Sequence, residues 1–132
     1  GDLREPHINS IGRAILGASS DQTRDQVLDK LSFTPGAAHA GVSRETLESQ
    51  LRQWREQGWY SNFGESFADL GGIAVPITIG DAIYGLSVAG PLYRVQPRAA
   101  EIVAALQAAV RGLGSHAARH ADSPIPPQEP RA

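Results

Sequence analysis

The stretch Gly71–Pro91, GGIAVPITIGDAIYGLSVAGP, decides the fold. Gly80-Asp81 at its middle predicts a two-residue type II′ turn, because glycine supplies the positive φ of the first turn position. Alternation on either side then sets Ile79 opposite Ala82, Ile77 opposite Tyr84, Val75 opposite Leu86 and Ile73 opposite Val88. These side chains share one large apolar face. The other face carries Thr78, Pro76, Ala74 and Gly72 against Ile83, Gly85, Ser87 and Ala89, and is shallow apart from Ile83. Two readings of the shallow face stay open. Either a helix presses close to a backbone that lacks bulky side chains, or the face is the floor of a ligand cavity. Pro76 lacks a donor and predicts a bulge or a sheet edge.

Helices are expected around this hairpin. Asn9 to Gly17 reads as a short helix with Ile8, Ile11 and Ile15 on one face and Gly17 as a left-handed stop. Ser19-Ser20-Asp21 caps a second helix through Leu31, with Val27, Leu28 and Leu31 as its apolar side. Ser43 caps a third, with Glu45 in its first turn, Leu47, Leu51 and Trp54 on one face, and Gly58 at its end. Trp59-Tyr60-Ser61 predicts a short strand before a polar loop, Asn62 to Asp69. Pro97 opens a final helix, from about Arg98 to Leu113, with Ile102, Val103, Leu106 and Val110 buried and Gly112 and Gly114 ending it. The large hairpin face is expected to pack on the helices carrying Leu47, Leu51 and Trp54 and carrying Ile102 and Leu106. Residues 1–114 read as one α+β domain. Residues 115–132, SHAARHADSPIPPQEPRA, hold four prolines and read as a flexible tail. The sheet is thin for such a domain, which predicts further strands missing from the chain.

Composition narrows the function. The 132 residues suit one modest core. A formal charge of -2 with no dense basic cluster argues against a nucleic-acid-binding module. There is no cysteine, hence no disulfide, thiolate nucleophile or cysteine metal site. No apolar run is long enough to span a bilayer, and Gly1 to Pro6 has no signal-peptide pattern, so a soluble cytoplasmic protein is expected. The chain opens without Met, which suggests a processed or partial chain.

Catalytic signals are absent. His116 and His120 have i, i+4 spacing but no glutamate between them in the zincin position. Glu65 and Asp69 read as a solvated loop rather than a catalytic pair. No serine sits in a GxSxG setting, and no phosphate-binding glycine motif occurs. No enzyme activity, metal or cofactor is expected.

Three ordered stretches resemble one family. REPHINSIGRAILG (4–17), LSFTP (31–35) with LESQLRQWREQGWYSNFGES (47–66), and the hairpin ending in SVAGP (87–91) are similar to the C-terminal region of IclR-type transcriptional regulators. The resemblance covers about Pro6 to Leu113. It implies a GAF-like or profilin-like effector-binding domain, an antiparallel sheet flanked by helices. It also implies a small organic effector (a carboxylate or aromatic acid), a homo-oligomer, and DNA binding through a helix-turn-helix domain that this sequence does not contain. The alternative is a stand-alone small-molecule or protein-interaction module of the same fold. Carried over by position, the family's pocket falls on Pro6, Ile8 and Asn9, on Asn62, on Leu70 and Gly72, and on Ser87 and Ala89. Asn62 stands where some members have an acid, and Ala89 where some have a serine. Ser87 and Asn62 are the expected hydrogen-bonding groups.

Overall fold

A computed structural model describes residues 9–30, 43–65 and 67–121. Hairpin strands β2 (Leu70–Ile79) and β3 (Ala82–Pro91) pair in the expected register, from Ile79↔Ala82 through Val75↔Leu86 to Leu70↔Pro91. Gly80 has φ +60°, and among the described residues none but glycines has positive φ, so Asp81 does not, which is the type II′ pattern. Strand β1 (Tyr60–Phe63) joins β2 antiparallel and gives the order β1-β2-β3. Asn62 therefore lies in a strand rather than opening the loop.

Pro76 causes no bulge, since the register runs through it unbroken. Counting pairs from the turn, Pro76↔Gly85 is a non-hydrogen-bonded pair, so the proline nitrogen points away from β3. On that side β1 has already ended, its first partner being Ala74. The missing donor falls where no strand asks for one.

The sheet divides two cores. On the large face Ile73 and Val75 pack with Val95 and Leu106, flanked by Phe63, Leu86, Ile102, Val103 and Val110. Val95 comes from the short helix α4 (Leu92–Val95), and Ile102, Val103, Leu106 and Val110 from α5 (Ala99–Ala121), the two joined by a 3-10 turn at Gln96–Arg98 that holds Pro97. The sequence reading placed the start of the final helix but not its end: α5 runs through Gly112 and Gly114 and takes in residues 115–121, which were expected to be flexible tail, and α4 was not expected. Glycine lowers helix stability by about 1 kcal/mol without removing a hydrogen bond, and the alanines on either side carry the helix on. Residues 122–132 of the expected tail lie outside the described residues.

The shallow face is covered by α1 (Ser10–Ala18), and α3 (Arg44–Gln57) packs behind it. Leu47 and Leu51 join Ala14, Leu16, Leu28, Tyr60 and Ala74, so the α3 face packs on this side and not on the large face as expected. Its caps match the sequence reading: Ser43 Oγ accepts from Thr46 N at 3.1 Å, and Gly58 adopts φ +86°. Helix α2 (Asp21–Lys30) buries Leu28, and Ser20 Oγ accepts from Thr23 N as its cap. Arg44 ties α3 to α2 through Asp29 and through Asp25 at 3.6 Å. Leu31 lies outside the described residues.

Helix α1 differs from its expected form. Its buried residues are Ser10, Gly12, Arg13, Ala14, Leu16 and Gly17, while Ile11 is 39% exposed. Gly17 is helical, not left-handed, and Ser19 ends the helix in extended geometry. Small residues let its backbone approach the sheet. A Cβ on Gly17 would overlap the Tyr60 ring, one on Gly85 would lie 2.7 Å from Ile11 Cγ2, and one on Gly72 would lie 2.9 Å from Ser10 Oγ. Of the two readings of the bare face, close helix packing accounts for its middle.

Tyr60 fills the space this creates. It is 1% exposed, paired with Ala74, and its ring lies 6.0 Å from that of Trp54. Gly17→Ala should gain helix propensity yet lose about 2 kcal/mol overall, because the added methyl meets a packed ring. Chemical denaturation would read this as a lower midpoint; an unchanged midpoint would contradict the close contact.

Burial raises the Tyr60 phenol above its ordinary 10.0, while Arg55 and Arg24 pull it down. The folded chain thus holds the proton when the unfolded chain has lost it. That contribution to stability is complete below the ordinary value and is lost as pH rises through the native one. Among the described residues no group hydrogen-bonds this hydroxyl, so Tyr60→Phe should stay within about 1 kcal/mol of the parent near pH 8. Urea unfolding should then show a shallower loss of stability for Tyr60→Phe than for the parent between about pH 9 and 11.

Candidate functional site

Helix α1 covers the middle of the shallow face but starts short of its end. A cavity of about 80 Å³ opens there, lined by Asn9, Ser10, Asn62, Leu70, Gly71, Gly72 and Ala89. Cross-strand pairing explains the grouping: Asn62 and Ala89 are the two partners of Gly72 on its flanking strands. Glycine at that central position leaves the hollow.

Five expected site residues thus meet at one cavity: Asn9, Asn62, Leu70, Gly72 and Ala89. Ser87 is not among them. It pairs with Ala74, two residues farther along β3, where α1 already lies over the sheet. Pro6 and Ile8 lie outside the described residues. Ser10 and Gly71 were missed by sequence reading, and an N-cap asparagine followed by serine was the signal that could have found Ser10.

Each polar group at the cavity has a definite role. Asn9 Oδ1 accepts from Gly12 N at 2.6 Å and caps α1, and Asn9 O accepts from Arg13 N at 3.0 Å. The N–H groups of Ser10 and Ile11 have no carbonyl within the helix to meet, and they carry the positive end of its dipole. Ser10 is 6% exposed, and among the described residues its hydroxyl makes no hydrogen bond. Asn62, 7% exposed, accepts from Glu65 N at 3.1 Å through Oδ1, which fixes the start of the loop after β1. Among the described residues the lining contains no ionisable side chain. Any charge recognised here would be met by peptide and side-chain dipoles.

Arg13 holds the site's walls together. Its Nη1 donates to Ser61 O at 2.6 Å, its Nη2 pairs with Glu65, and its guanidinium carbon lies 4.8 Å from the centre of the Trp54 ring. One side chain from α1 thereby clasps β1, the following loop and α3. Glu65 is accordingly more than the solvated loop residue expected, although half of its side chain is exposed.

Among the described residues no cluster of three or more His, Asp or Glu could hold a metal. His116 and His120 fall on the helical backbone of α5, but their side chains lie outside the described residues. Among the described residues no helix is long and apolar enough to cross a membrane.

Known proteins supply the frame for this geometry. The family "Bacterial transcriptional regulator IclR C-terminal" matches residues 1–114. The chain belongs to this IclR family. The transcriptional regulator KdgR of Dickeya chrysanthemi is 30% identical over 117 residues, which cover 86% of this chain and 38% of that protein. The chain thus spans well under half the length of this relative. The crystal structure of the C-terminal domain of Escherichia coli KdgR superposes with a TM-score of 0.68 at 31% identity, covering 80% of this chain and 66% of that one. The inducer-binding domain of PobR from Acinetobacter, a double mutant in complex with 3-hydroxybenzoic acid, shares the fold with a TM-score of 0.69. It is 18% identical over 82% of this chain and 66% of its own. The α+β architecture of this chain, with its antiparallel sheet and flanking helices, matches that of IclR C-terminal domains, and the curated IclR relatives are transcriptional regulators.

The clasp predicts an asymmetric mutational cost. Arg13→Ala should lower stability by about 3 kcal/mol, since it strips the partner from Ser61 O and uncovers Trp54. Glu65→Gln should cost less than about 1 kcal/mol, because Glu65 is half in water. Denaturant midpoints of the two variants provide the check.

Proposed function

We propose that this chain is the effector-sensing part of an IclR-type transcriptional regulator, and that the cavity at the start of α1 takes a compact organic acid. The observation that carries this reading is the buried Ser10 hydroxyl beside the unmet N–H groups of α1. A carboxylate there would accept from the Ser10 hydroxyl and from the helix N-terminus, a favourable anion geometry that needs no cationic side chain. Leu70, Gly72 and Ala89 would meet the apolar remainder of the ligand. The aromatic acid bound by PobR supports the ligand class, though the small size of this cavity favours a compact acid or one end of a longer one.

The acid would act through α1. Filling the cavity fixes Ser10 against Gly72 and, through Arg13, fixes the loop at Glu65. In the intact regulator, an acid that prefers one subunit arrangement would shift the population of that arrangement and with it DNA affinity. Metal and cofactor chemistry have no part in this mechanism, and no catalytic step is proposed.

Calorimetric titration with a panel of small carboxylates and hydroxybenzoates tests the site. Ala89→Leu should weaken binding of any acid found by at least about tenfold by filling the hollow. Tyr93→Ala, away from the lining, should leave it unchanged. Ser87→Leu should disturb binding less than Ala89→Leu. Retained affinity in Ala89→Leu would remove the cavity from the proposal.

A further inference from the structure

Arg13 lies one bond outside the cavity. It sits in the first turn of α1, and its N–H donates at 3.0 Å to the carbonyl of Asn9, the N-cap that borders the hollow. Its side chain, 7% exposed, donates through Nη1 to Ser61 O at 2.6 Å and pairs through Nη2 with Glu65. Asn62, the residue after Ser61, accepts from Glu65 N at 3.1 Å. These contacts close a ring. It runs from Arg13 to Ser61, along the chain to Asn62, across to Glu65 and back to Arg13.

The ring joins the two polar walls of the cavity. Asn9 and Ser10 form the wall on α1, and Asn62 stands on β1. A group that displaces either wall displaces the guanidinium, because a planar fork that holds two acceptors in fixed directions has little freedom to stay behind. Beyond the ring, the same guanidinium reaches α3: its carbon lies 4.8 Å from the centre of the Trp54 ring. Trp54 packs against the core around Leu47 and Leu51, and its ring lies 6.0 Å from that of the buried Tyr60. Cation–π attraction depends on where the charge stands over the ring face, so a small movement of Arg13 is felt by the indole.

We propose that Arg13 couples Asn62 to Trp54, so that helix α3 registers what sits in the cavity. The use of this coupling in sensing an acid rests on the acid-binding reading given above; the coupling itself does not. Arg13 and Glu65 are positioning residues. Neither lines the cavity, yet together they set where Asn62 and the first turn of α1 stand.

Trp59→Phe leaves Trp54 as the one tryptophan of the chain, and its emission then reads the coupling with no acid present. In that background Asn62→Ala removes the acceptor from Glu65 N. The loop start loosens, the guanidinium slips from the indole, and Trp54 emission should move to the red. Glu65→Gln should move it in the same direction. With Arg13→Met in place, Asn62→Ala should leave the emission where it is, since the link is gone. Arg13→Lys, which keeps the charge without the planar fork, replaces the methionine variant if that chain does not fold. Calorimetric titration with acetate and with 3-hydroxybenzoate forms the second arm. Glu65→Gln should weaken whichever of the two binds by at least about threefold, although Glu65 lies outside the lining. No shift in Asn62→Ala, or an equal shift with and without Arg13, overturns the coupling. An acid held equally well by the Glu65→Gln chain overturns its part in sensing. If neither acid binds the parent, the acid-binding reading fails at these probes and the emission cycle alone decides the coupling.

Discussion

The rest of the structure depends on how closely α1 can approach the sheet. Gly17 lies on Tyr60, Ser10 on Gly72 and Ile11 on Gly85, three contacts in which a missing side chain on one partner admits the other. Close packing of this kind gains dispersion energy from many short contacts and tolerates little change in volume. It also fixes the cavity. Because α1 is held along its length, its first turn stops at a set height above Gly72, and the hollow between them is the space left over.

Arg13 adds a polar constraint to that apolar one. A buried guanidinium must find acceptors; Arg13 reaches Ser61 O on β1 and Glu65 in the loop after it, and overlies Trp54 on α3. The cavity wall formed by Asn62 is continuous with this network, since Asn62 holds Glu65 N and Glu65 pairs with Arg13. Packing and hydrogen bonding thus meet at the same four-residue segment of chain, 62–65.

Much of this was legible in the sequence wherever the signal was local. Gly80-Asp81 and strict alternation gave the hairpin register pair by pair, and Ser43 and Gly58 bounded α3 because capping chemistry acts within one turn. Alternation put Gly72 and Ala89 on the bare face, while Asn9, Asn62 and Leu70 were reached through family resemblance. Two of the failures share a cause. Hydrophobic periodicity reports where apolar area lies, so it pointed to Ile11 and Ile15 on α1; close approach is made by residues with little area, and the buried face ran through Ser10, Ala14 and Gly17 instead. The same bias sent Leu47 and Leu51 to the bulky side of the hairpin, when they pack behind α1 on the bare side. Arg13 carries no local signal at all, because its acceptors are 48 and 52 residues away. Helix α4 is too short for any periodicity to show.

The two edges of the sheet are not equivalent, and Pro76 is part of the reason. Strand β1 is four residues long, and just beyond its reach the central strand presents a ring nitrogen with no hydrogen. A newcomer on that side would find a brief ladder interrupted at once. Among the described residues the ladder between β2 and β3 runs unbroken through the same proline. The same imino acid is therefore silent toward β3 and a full stop toward β1: one residue sets how far the first strand can run without disturbing the hairpin.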